Sequence, residues 1–295
     1  MDDDSWAASE FEAHRGHLRA VAYRMLGSVS DADDAVQEAW LRLARSGTDD
    51  VLNLRAWLTT VVARVCLDML RSRTSRREEP LDVHLPDPIV TAVDDTDPEQ
   101  AALLADSVGL ALLVVLETLS PTERLAFVLH DIFAVPFEQI GTILDRSPAA
   151  AKQLASRARS RLRGADSATD IDRRRHREVV EAFLAASREG DFGGLLAVLD
   201  PDVILRADAG NGPLGPSQII YGAEAVVRQA MRYAGLAQFA RPVLVNGLPG
   251  LVAIRDGRPL SLLSVDIRDD KIVEIDILAD PERLSALAVA WPTDR

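Results

Sequence analysis

A short stretch of the chain concentrates side chains that could read DNA. Residues 146–163 contain six basic residues and no acidic one. Near the start of a predicted helix in this stretch, Lys152 can hydrogen-bond guanine and Gln153 can pair with adenine in the major groove. Ser156 and Arg157 belong to the same polar surface, and Arg159 lies further along, where contacts with phosphate groups are expected. These residue types and their order predict a DNA-reading helix.

Positive charge must be segregated in this protein, because the chain as a whole is acidic. Its formal net charge is −13, and a uniformly acidic surface would repel nucleic acid. A second basic run covers residues 64–77, and residues 78–99, with eight acids and no base, separate the two runs. The arginines of the second run are Arg64, Arg71, Arg73, Arg76 and Arg77.

Other residues could do acid–base or metal chemistry, but the sequence supports this weakly. Asp208, with Tyr221 and Asp266, is the best candidate for a catalytic carboxylic acid in an apolar pocket. His14 and His17 could form half of a metal site and have no second pair of ligands nearby in the sequence. No glycine-rich phosphate loop of the Walker or Rossmann form is present. We therefore expect no metal, no cofactor and no enzymatic activity.

The elements that position the DNA-reading residues are predicted from helix capping and periodicity. A helix over residues 136–144 is followed by a turn at Asp145, and Ser147 then caps a second, basic helix. A basic helix after a short turn is the pattern of a helix-turn-helix motif. Upstream, Ser120 and Glu123 predict a capping box at the start of another helix.

The first part of the chain, residues 11–77, is predicted to be helical throughout. Gly27 is the expected break, and Ser30 and Asp33 have the spacing of a capping box. In the helix that carries the second basic run, apolar residues recur every four positions. This predicts a buried stripe made of Trp57, Val61, Val65 and Met69.

The C-terminal half has a different pattern. One helix over residues 173–188 contains His176, which we expect to be solvent-exposed among arginines. Short apolar runs follow, and Asp256-Gly257 and Asp269-Asp270 between them are typical of hairpin turns. The pattern predicts an α+β domain with an antiparallel sheet. The predicted strands cover residues 242–246, 251–255, 260–267 and 271–278.

Two separate segments carry a family resemblance. The first consists of DADDAVQEAWLRLAR at residues 31–45 and LRAWLTTVVARVCLDMLRSR at residues 54–73, and the second is LSPTERLAFVLHDIFAVPFEQIGTILDRSPAAAKQLASRARSRLR at residues 119–163. They resemble regions 2 and 4 of the extracytoplasmic-function (ECF) sigma factors of bacterial RNA polymerase. The resemblance implies that region 2 binds the polymerase clamp and opens the −10 promoter element, and that region 4 reads the −35 element.

The resemblance also implies roles for individual residues. The clamp-binding helix would use Asp33, Asp34, Gln37 and Glu38. The −10 surface would use the arginines of the second basic run, because positive charge and planar groups hold single-stranded DNA. The acidic linker would act as a flexible polyanion in a basic channel of the polymerase. The −35 surface would comprise Lys152, Gln153, Ser156, Arg157 and Arg159.

The chain continues for about 130 residues beyond region 4, and this extension resembles a cone-shaped SnoaL-like domain of the nuclear-transport-factor-2 (NTF2) superfamily. Sigma factors with such a domain share a linker motif, an Asp-Gly-rich loop and a short tail motif, and the resemblance implies regulation in cis. The counterparts here are Leu85, Pro86, Asp87 and Pro88 in the linker, Asp208, Gly210, Asn211 and Gly212 in the loop, and residues 280–284 in the tail.

The sequence thus predicts a multidomain protein with two all-α sigma domains followed by an α+β SnoaL/NTF2-like domain. The expected boundaries are 8–77 for region 2, 78–105 for the acidic linker, 106–165 for region 4 and 172–290 for the C-terminal domain. The expected function is an alternative sigma factor that binds promoter DNA and the β and β′ subunits of core RNA polymerase.

An alternative function remains open at this stage. A helix-turn-helix regulator could use its C-terminal domain to sense a small ligand or to act as a cyclase or isomerase. The composition, with 47% hydrophobic and 27% charged residues, is that of a folded globular protein. An acidic N-terminus and a longest apolar run of only residues 108–116 indicate neither export nor a membrane span, so a cytoplasmic location is expected.

Overall fold

The computed structural model describes residues 2–46, 53–76, 84–91, 110–162, 173–210 and 212–287, which form two compact units. The first unit contains the described residues up to 76 and residues 113–162. The second unit contains residues 84–91, residues 110–112 and the described residues from 173 onward. None of the helices in these ranges is long and apolar enough to cross a membrane.

Three long helices begin the first unit: α1 (Asp2–Leu26), α2 (Val29–Ser46) and α3 (Leu54–Arg76). Helix α3 packs against α1 and α2. The predicted stripe on α3 is wrong in part, because Trp57, Val61 and Met69 are only partly buried. Leu58 and Val62, one residue after two of the predicted positions, are buried instead, because both α1 and α2 pack against α3. The fully buried side chains of α3 include Leu58, Val62, Ala63 and Cys66.

The break between α1 and α2 lies at Gly27, as predicted, where the backbone takes a positive φ of 70°. The predicted capping box is wrong by two residues. Helix α2 already begins at Val29, and the Ser28 hydroxyl accepts a hydrogen bond from the Asp31 amide at 3.4 Å. Asp33 does not cap the helix, because its carboxylate accepts hydrogen bonds from Arg19.

Four further α-helices and one π-helical turn follow, and apart from residues 110–112 they belong to the first unit. They are α4 (Leu110–Glu117), α5 (Pro121–Phe127), the π turn (Val128–Ile132), α6 (Phe137–Leu144) and α7 (Pro148–Leu162). The predicted capping box at the start of α5 is confirmed, because Ser120 and Glu123 cap each other's backbone amides. The π turn has no counterpart among the sequence predictions.

Helices α6 and α7 form the predicted helix-turn-helix motif. The turn is tight because Asp145 adopts the left-handed conformation and Gly141 allows a close approach. A Cβ atom at Gly141 would lie 2.7 Å from the Arg146 carbonyl oxygen, closer than packed atoms tolerate. The Ser147 hydroxyl caps α7 by accepting a hydrogen bond from the Ala150 amide at 3.2 Å. The sequence therefore positions α7 through local capping and one glycine.

The second unit packs helices against a seven-stranded sheet. The strand order is β1-β4-β5-β6-β7-β2-β3, and neighbouring strands are antiparallel except β2 and β7. The strands are β1 (Val90–Thr91), β2 (Leu199–Asp208), β3 (Gln218–Tyr221), β4 (Ala240–Val245), β5 (Leu248–Arg255), β6 (Arg258–Arg268) and β7 (Lys271–Leu278). The helices are α8 (Arg173–Glu189), α9 (Phe192–Val198), α10 (Ala223–Arg232), α11 (Ala234–Ala237) and α12 (Pro281–Ala286).

The predicted helix and the four predicted strands of this unit are present. Asp256-Gly257 and Asp269-Asp270 form the expected hairpin turns, and all four residues have positive φ. Asn246-Gly247 makes a third turn of the same kind between β4 and β5. Strand β2, which lies between β7 and β3, was not predicted.

The sheet separates two hydrophobic clusters, because alternate residues of a strand point to opposite faces. One face packs against α8, α9 and α10 through residues such as Leu205, Leu251 and Ile275. The opposite face carries Val245, Val252 and Leu278. We call these the helix-covered face and the opposite face of the sheet.

Candidate nucleic-acid interface and linker-binding surface

Helix α7 presents one polar face and one buried face. Lys152, Gln153, Ser156 and Arg157 are all exposed and lie at positions that share one side of the helix. The residues that anchor α7 in the first unit are Ala151, Leu154, Ala155, Ala158 and Leu162. The structure therefore brings four of the five residues predicted to contact the −35 element onto one open surface.

Arg159, the fifth of these residues, is ion-paired at the surface of the first unit. Its Nη1 donates to Asp131 Oδ1 at 2.8 Å, and Arg161 makes a similar bond to Glu123 Oε2 at 2.8 Å. Burial raises the pKa of Glu123, but the Ser120 hydroxyl, the Ser120 amide and Arg161 outweigh it and lower that pKa below its ordinary value. These pairs tie α7 to the helical turns before it.

The arginines predicted to line the −10 surface differ in their surroundings. Arg64 Nη2 donates to the Thr142 carbonyl oxygen in α6 at 3.0 Å. Arg73 donates to the Leu26 carbonyl oxygen at 3.0 Å and is ion-paired with Asp31. Arg71 is exposed and lies 3.9 Å from Asp68. The side chain of Arg76 and the whole of Arg77 lie outside the described residues.

Helices α3 and α6 contact each other directly within the first unit. Gln139 Nε2 donates to the Ala56 carbonyl oxygen at 3.1 Å and to Thr60 Oγ1 at 3.3 Å. Together with the Arg64 bond, these contacts place the segments that resemble region 2 and region 4 side by side. The surface that contains Arg64 is therefore partly covered in this structure.

Arg124 is a residue of this contact that sequence reasoning missed. Its side chain is 4% exposed, and its Nε donates to the Arg24 carbonyl oxygen in α1 at 3.2 Å. Burial lowers the pKa of the guanidinium to about 10. The sequence around Arg124 does not predict its burial, because the carbonyl oxygen that accepts its hydrogen bond lies 100 residues away in the sequence.

The residues aligned with the clamp-binding helix lie on α2. Asp33, Asp34 and Gln37 are exposed, and Glu38 is half-buried. Asp33 pairs with Arg19, and Glu38 pairs with Arg42 at 3.0 Å. The four side chains nevertheless form one continuous polar face, since they are spaced three or four residues apart.

Residues 84–91 of the predicted linker bind the second unit. Val90 and Thr91 form strand β1 against β4, and the Ile89 amide donates to Asn246 Oδ1 at 2.7 Å. Leu85 and Ile89 are buried, as are both prolines of the motif. The expectation of a flexible linker is therefore wrong for these residues. We call the surface that holds them the linker-binding surface.

One arginine joins the three motifs named in the sequence analysis. Arg283, in α12, donates to Asp87 Oδ1 at 2.6 Å and to the Leu85 carbonyl oxygen at 2.5 Å, and it is also ion-paired with Asp208. Asp208 in turn accepts a hydrogen bond from the Leu85 amide at 2.9 Å. Asp208 and Arg283 have little exposure, so their charges are stabilised mainly by each other and by Asp87.

The glycines of the loop after β2 are required by close contacts. Gly210 has a φ of 50°, and a Cβ atom there would overlap the Asp280 carboxylate. A Cβ atom at Gly212 would lie 2.8 Å from the Ala209 carbonyl oxygen. Asp280 itself caps α12 by accepting hydrogen bonds from the Glu282 and Arg283 amides. Asn211 lies outside the described residues.

Known proteins resemble this chain over almost its whole length. Family models for Sigma-70 region 2 and Sigma-70, region 4 match residues 11–76 and 109–162. The ECF RNA polymerase sigma factor SigJ of Mycobacterium tuberculosis is 41% identical over 97% of each chain. The probable ECF RNA polymerase sigma factor SigI of the same species is 36% identical over 97% of this chain and 98% of its own. The chain belongs to the ECF RNA polymerase sigma factors.

The solved structures support the same assignment for the whole fold. The crystal structure of SigJ covers 95% of this sigma factor and 99% of its own chain, with a TM-score of 0.76 and 39% identity. The predicted fold class, helical sigma domains followed by an α+β domain, is confirmed. The sigma factor therefore carries region 2, region 4 and a C-terminal mixed-sheet domain in one chain.

The residues considered for acid–base catalysis do not share a pocket in this sigma factor. A cavity of about 150 Å³ lies on the helix-covered face of the sheet and is lined by Leu205, Ala207, Ile275 and Ile277. By strand alternation, Asp208 points to the opposite face, and so do Tyr221 and Asp266 through their pairing with Ile204 and Glu274. The structure does not bring these three residues to the cavity.

A charged cluster occupies the opposite face beside them. Arg206 donates to Glu274 at 3.0 Å and to Asp276 at 3.2 Å. Asp276 is buried, and burial together with the nearby Glu274 raises its pKa to about 7 against the opposing effect of Arg206. The cluster is a network of paired charges, with the guanidinium between two carboxylates.

Proposed function

We propose that this sigma factor uses the exposed face of α7 to read the −35 element, the arginine surface of α3 at the −10 element and the polar face of α2 to bind the polymerase clamp. The observation that carries the proposal is the open surface formed by Lys152, Gln153, Ser156 and Arg157 on the second helix of a helix-turn-helix motif. The N-terminal half of such a helix enters the major groove.

The −35 assignment is tested by run-off transcription with core RNA polymerase and the full-length protein. We expect Lys152→Ala and Gln153→Ala each to weaken promoter recognition by about 1–3 kcal/mol, because each removes a base contact. The loss should disappear when the −35 sequence is scrambled. An equal loss on both templates would contradict base reading, and would assign the two side chains to phosphates. Arg258→Ala, which changes an exposed basic residue at the start of β6, is the matched control.

We further propose that docking of residues 84–91 on the linker-binding surface modulates sigma activity in cis. The ion pairs of Arg283 with Asp87 and Asp208 support this proposal, because they make docking depend on a few charges. No residue of the cavity lining is an acid, a base or a cysteine in the described part of the chain. We therefore propose a regulatory and non-enzymatic role for the C-terminal domain.

The docking proposal is tested by Arg283→Ala. The substitution leaves two carboxylates without their shared cation, which should weaken docking by about 3 kcal/mol. Amide hydrogen exchange should then become faster at Leu85 and Ile89, whose amides donate to Asp208 and Asn246. The amount of run-off transcript should change as well. Unchanged transcription despite faster exchange would overturn the regulatory role, and Arg228→Ala on the exposed side of α10 is the control.

A further inference from the structure

The cavity of the C-terminal domain is lined mostly by apolar side chains. It lies between β2, β5, β6 and β7 on one side and α8, α10 and α11 on the other. Its volume of about 150 Å³ is close to that of a buried cavity that accommodates one benzene ring. The residues of the helix side include Phe183, Leu184 and Val226. A space of this size and lining favours a single ring or a branched aliphatic group.

The charge of an occupant is restricted by the same lining. No Asp, Glu, Lys, Arg or His contributes to the cavity wall in the described part of the chain. An ion placed there would lose its hydration without gaining a partner of opposite charge, which is a large cost in free energy. The occupant must therefore be neutral.

Five of the lining side chains are polar, and two of these five are amides. Ser187 and Tyr233 already donate to the carbonyl oxygens of Phe183 and Leu214, at 2.8 and 2.6 Å. Gln218 and Gln229 also line the cavity, and no hydrogen bond joins their side chains to other described residues. Each amide offers one acceptor and two donor hydrogens to a molecule in the cavity.

We infer that this cavity is a binding site for a small, neutral, largely apolar molecule that carries one amide or carbonyl group, with Gln218 and Gln229 as its hydrogen-bonding partners. The site belongs to the second unit alone and is separate from the linker-binding surface on the opposite face. The C-terminal domain would then bind a small molecule in addition to its contacts with the linker.

The inference is tested by ligand titration of the full-length protein with benzamide, benzoate and toluene. The three molecules share one ring and differ in charge and in the amide group. We expect benzamide to bind with a Kd on the order of 1 mM or tighter, and benzoate at least about tenfold more weakly. Equal affinity for benzamide and benzoate, or no binding of either neutral molecule, would overturn the inference.

Substitutions of the cavity wall separate the site from unspecific binding. Gln218→Leu and Gln229→Leu should each weaken benzamide binding and preserve toluene binding, because they remove only the amide contacts. Ala207→Phe should fill the cavity and abolish binding of both, with the circular dichroism spectrum showing that the variant folds. Gln238→Leu is the matched control, since Gln238 is exposed and lies outside the cavity. Unchanged benzamide affinity in both glutamine variants would refute the proposed polar contacts.

Discussion

Buried polar side chains show how single residues are stabilised in this sigma factor. Arg124 is buried beside the end of α1 and gives a hydrogen bond to a backbone carbonyl oxygen. Asp276 lies next to the guanidinium of Arg206. His176, in contrast, is 3% exposed, and its Nε2 has no hydrogen-bond partner in the described structure. Burial lowers the pKa of His176 to about 4, so the imidazole is neutral near neutral pH.

His176 predicts a specific pH dependence of stability. In the unfolded chain its pKa returns to about 6.5, so below that pH the unfolded state binds a proton that the folded state does not. The stabilisation is complete above about pH 6.5 and is lost as the pH falls towards 4, up to about 3 kcal/mol at 1.36 kcal/mol per pKa unit.

The measurement is urea unfolding of the full-length protein between about pH 7 and pH 4.5. His176→Phe and His176→Leu should each show a smaller loss of unfolding free energy over this interval than the parent protein. Both substitutions keep Asp276, so its own titration cancels in the comparison. A parent and variants that lose stability in parallel would show that His176 binds protons equally well in the folded and unfolded states.

The sequence predicted residues on exposed faces better than it predicted buried polar ones. Lys152 and Gln153 follow a capping serine, and that local pattern fixes which side of α7 they share. His176 was expected in solvent because arginines surround it in the sequence. Its burial depends on the strand that α8 covers, which the local pattern does not contain.

At the scale of elements, the contact between α3 and α6 limits what the helical unit can bind. Arg64 and Gln139 hold the two helices within hydrogen-bond distance. The −10 and −35 promoter elements are roughly 25 base pairs apart, or about 85 Å at 3.4 Å per pair. Helices that touch cannot contact both elements at once. With the −10 and −35 surfaces assigned as proposed above, we therefore expect the unit to open before it reads a promoter.

A reversible crosslink between the two helices tests this opening. Thr60→Cys and Gln139→Cys place two thiols where a 3.3 Å hydrogen bond now joins the side chains. After reaction with a short, reducible bis-maleimide, promoter-directed transcription should be lost, and reduction should restore it. The native Cys66 should not react, because it is buried and burial raises its pKa to about 12.

Two further proteins make the crosslinking result interpretable. The uncrosslinked double variant shows whether the substitutions themselves reduce activity. A second pair, Glu224→Cys and Arg228→Cys, crosslinks one exposed turn of α10 and should leave transcription intact. If the α3–α6 crosslinked protein initiates as well as its reduced form, the helical unit does not need to open.

Local sequence patterns predicted most of the helices and strands. The strands that were not predicted depend on pairing with distant parts of the chain. Asp256-Gly257 and Asp269-Asp270 set two hairpins through positive φ values that a two-residue turn requires. Strand β1 escaped prediction, because two residues in an acidic, proline-rich segment have no pattern of their own. Its partner, β4, lies far along the chain. The resemblance to sigma factors with a SnoaL-like domain named the three motifs, and only the structure showed that Arg283 joins them.

At the scale of the whole molecule, the exposed basic residues of α7 contrast with an acidic chain. The chain carries a net charge of −13, and its exposed bases on α7 stand out against that background. Non-specific DNA binding should therefore be weak outside the polymerase complex, since the acidic surface opposes it. The identity with SigJ extends over 97% of the chain, so the combination of sigma regions and C-terminal domain is shared as a unit.

The pairing of the linker with β4 also sets an order of events on the ribosome. Ile89 and Asn246 are 157 residues apart, and at roughly 5–20 residues per second the second partner is synthesised about 8–30 s after the first. Regions 2 and 4 are complete during this interval, before the linker-binding surface exists. A newly made chain therefore passes through a stage in which both sigma regions have been synthesised and the linker cannot yet dock.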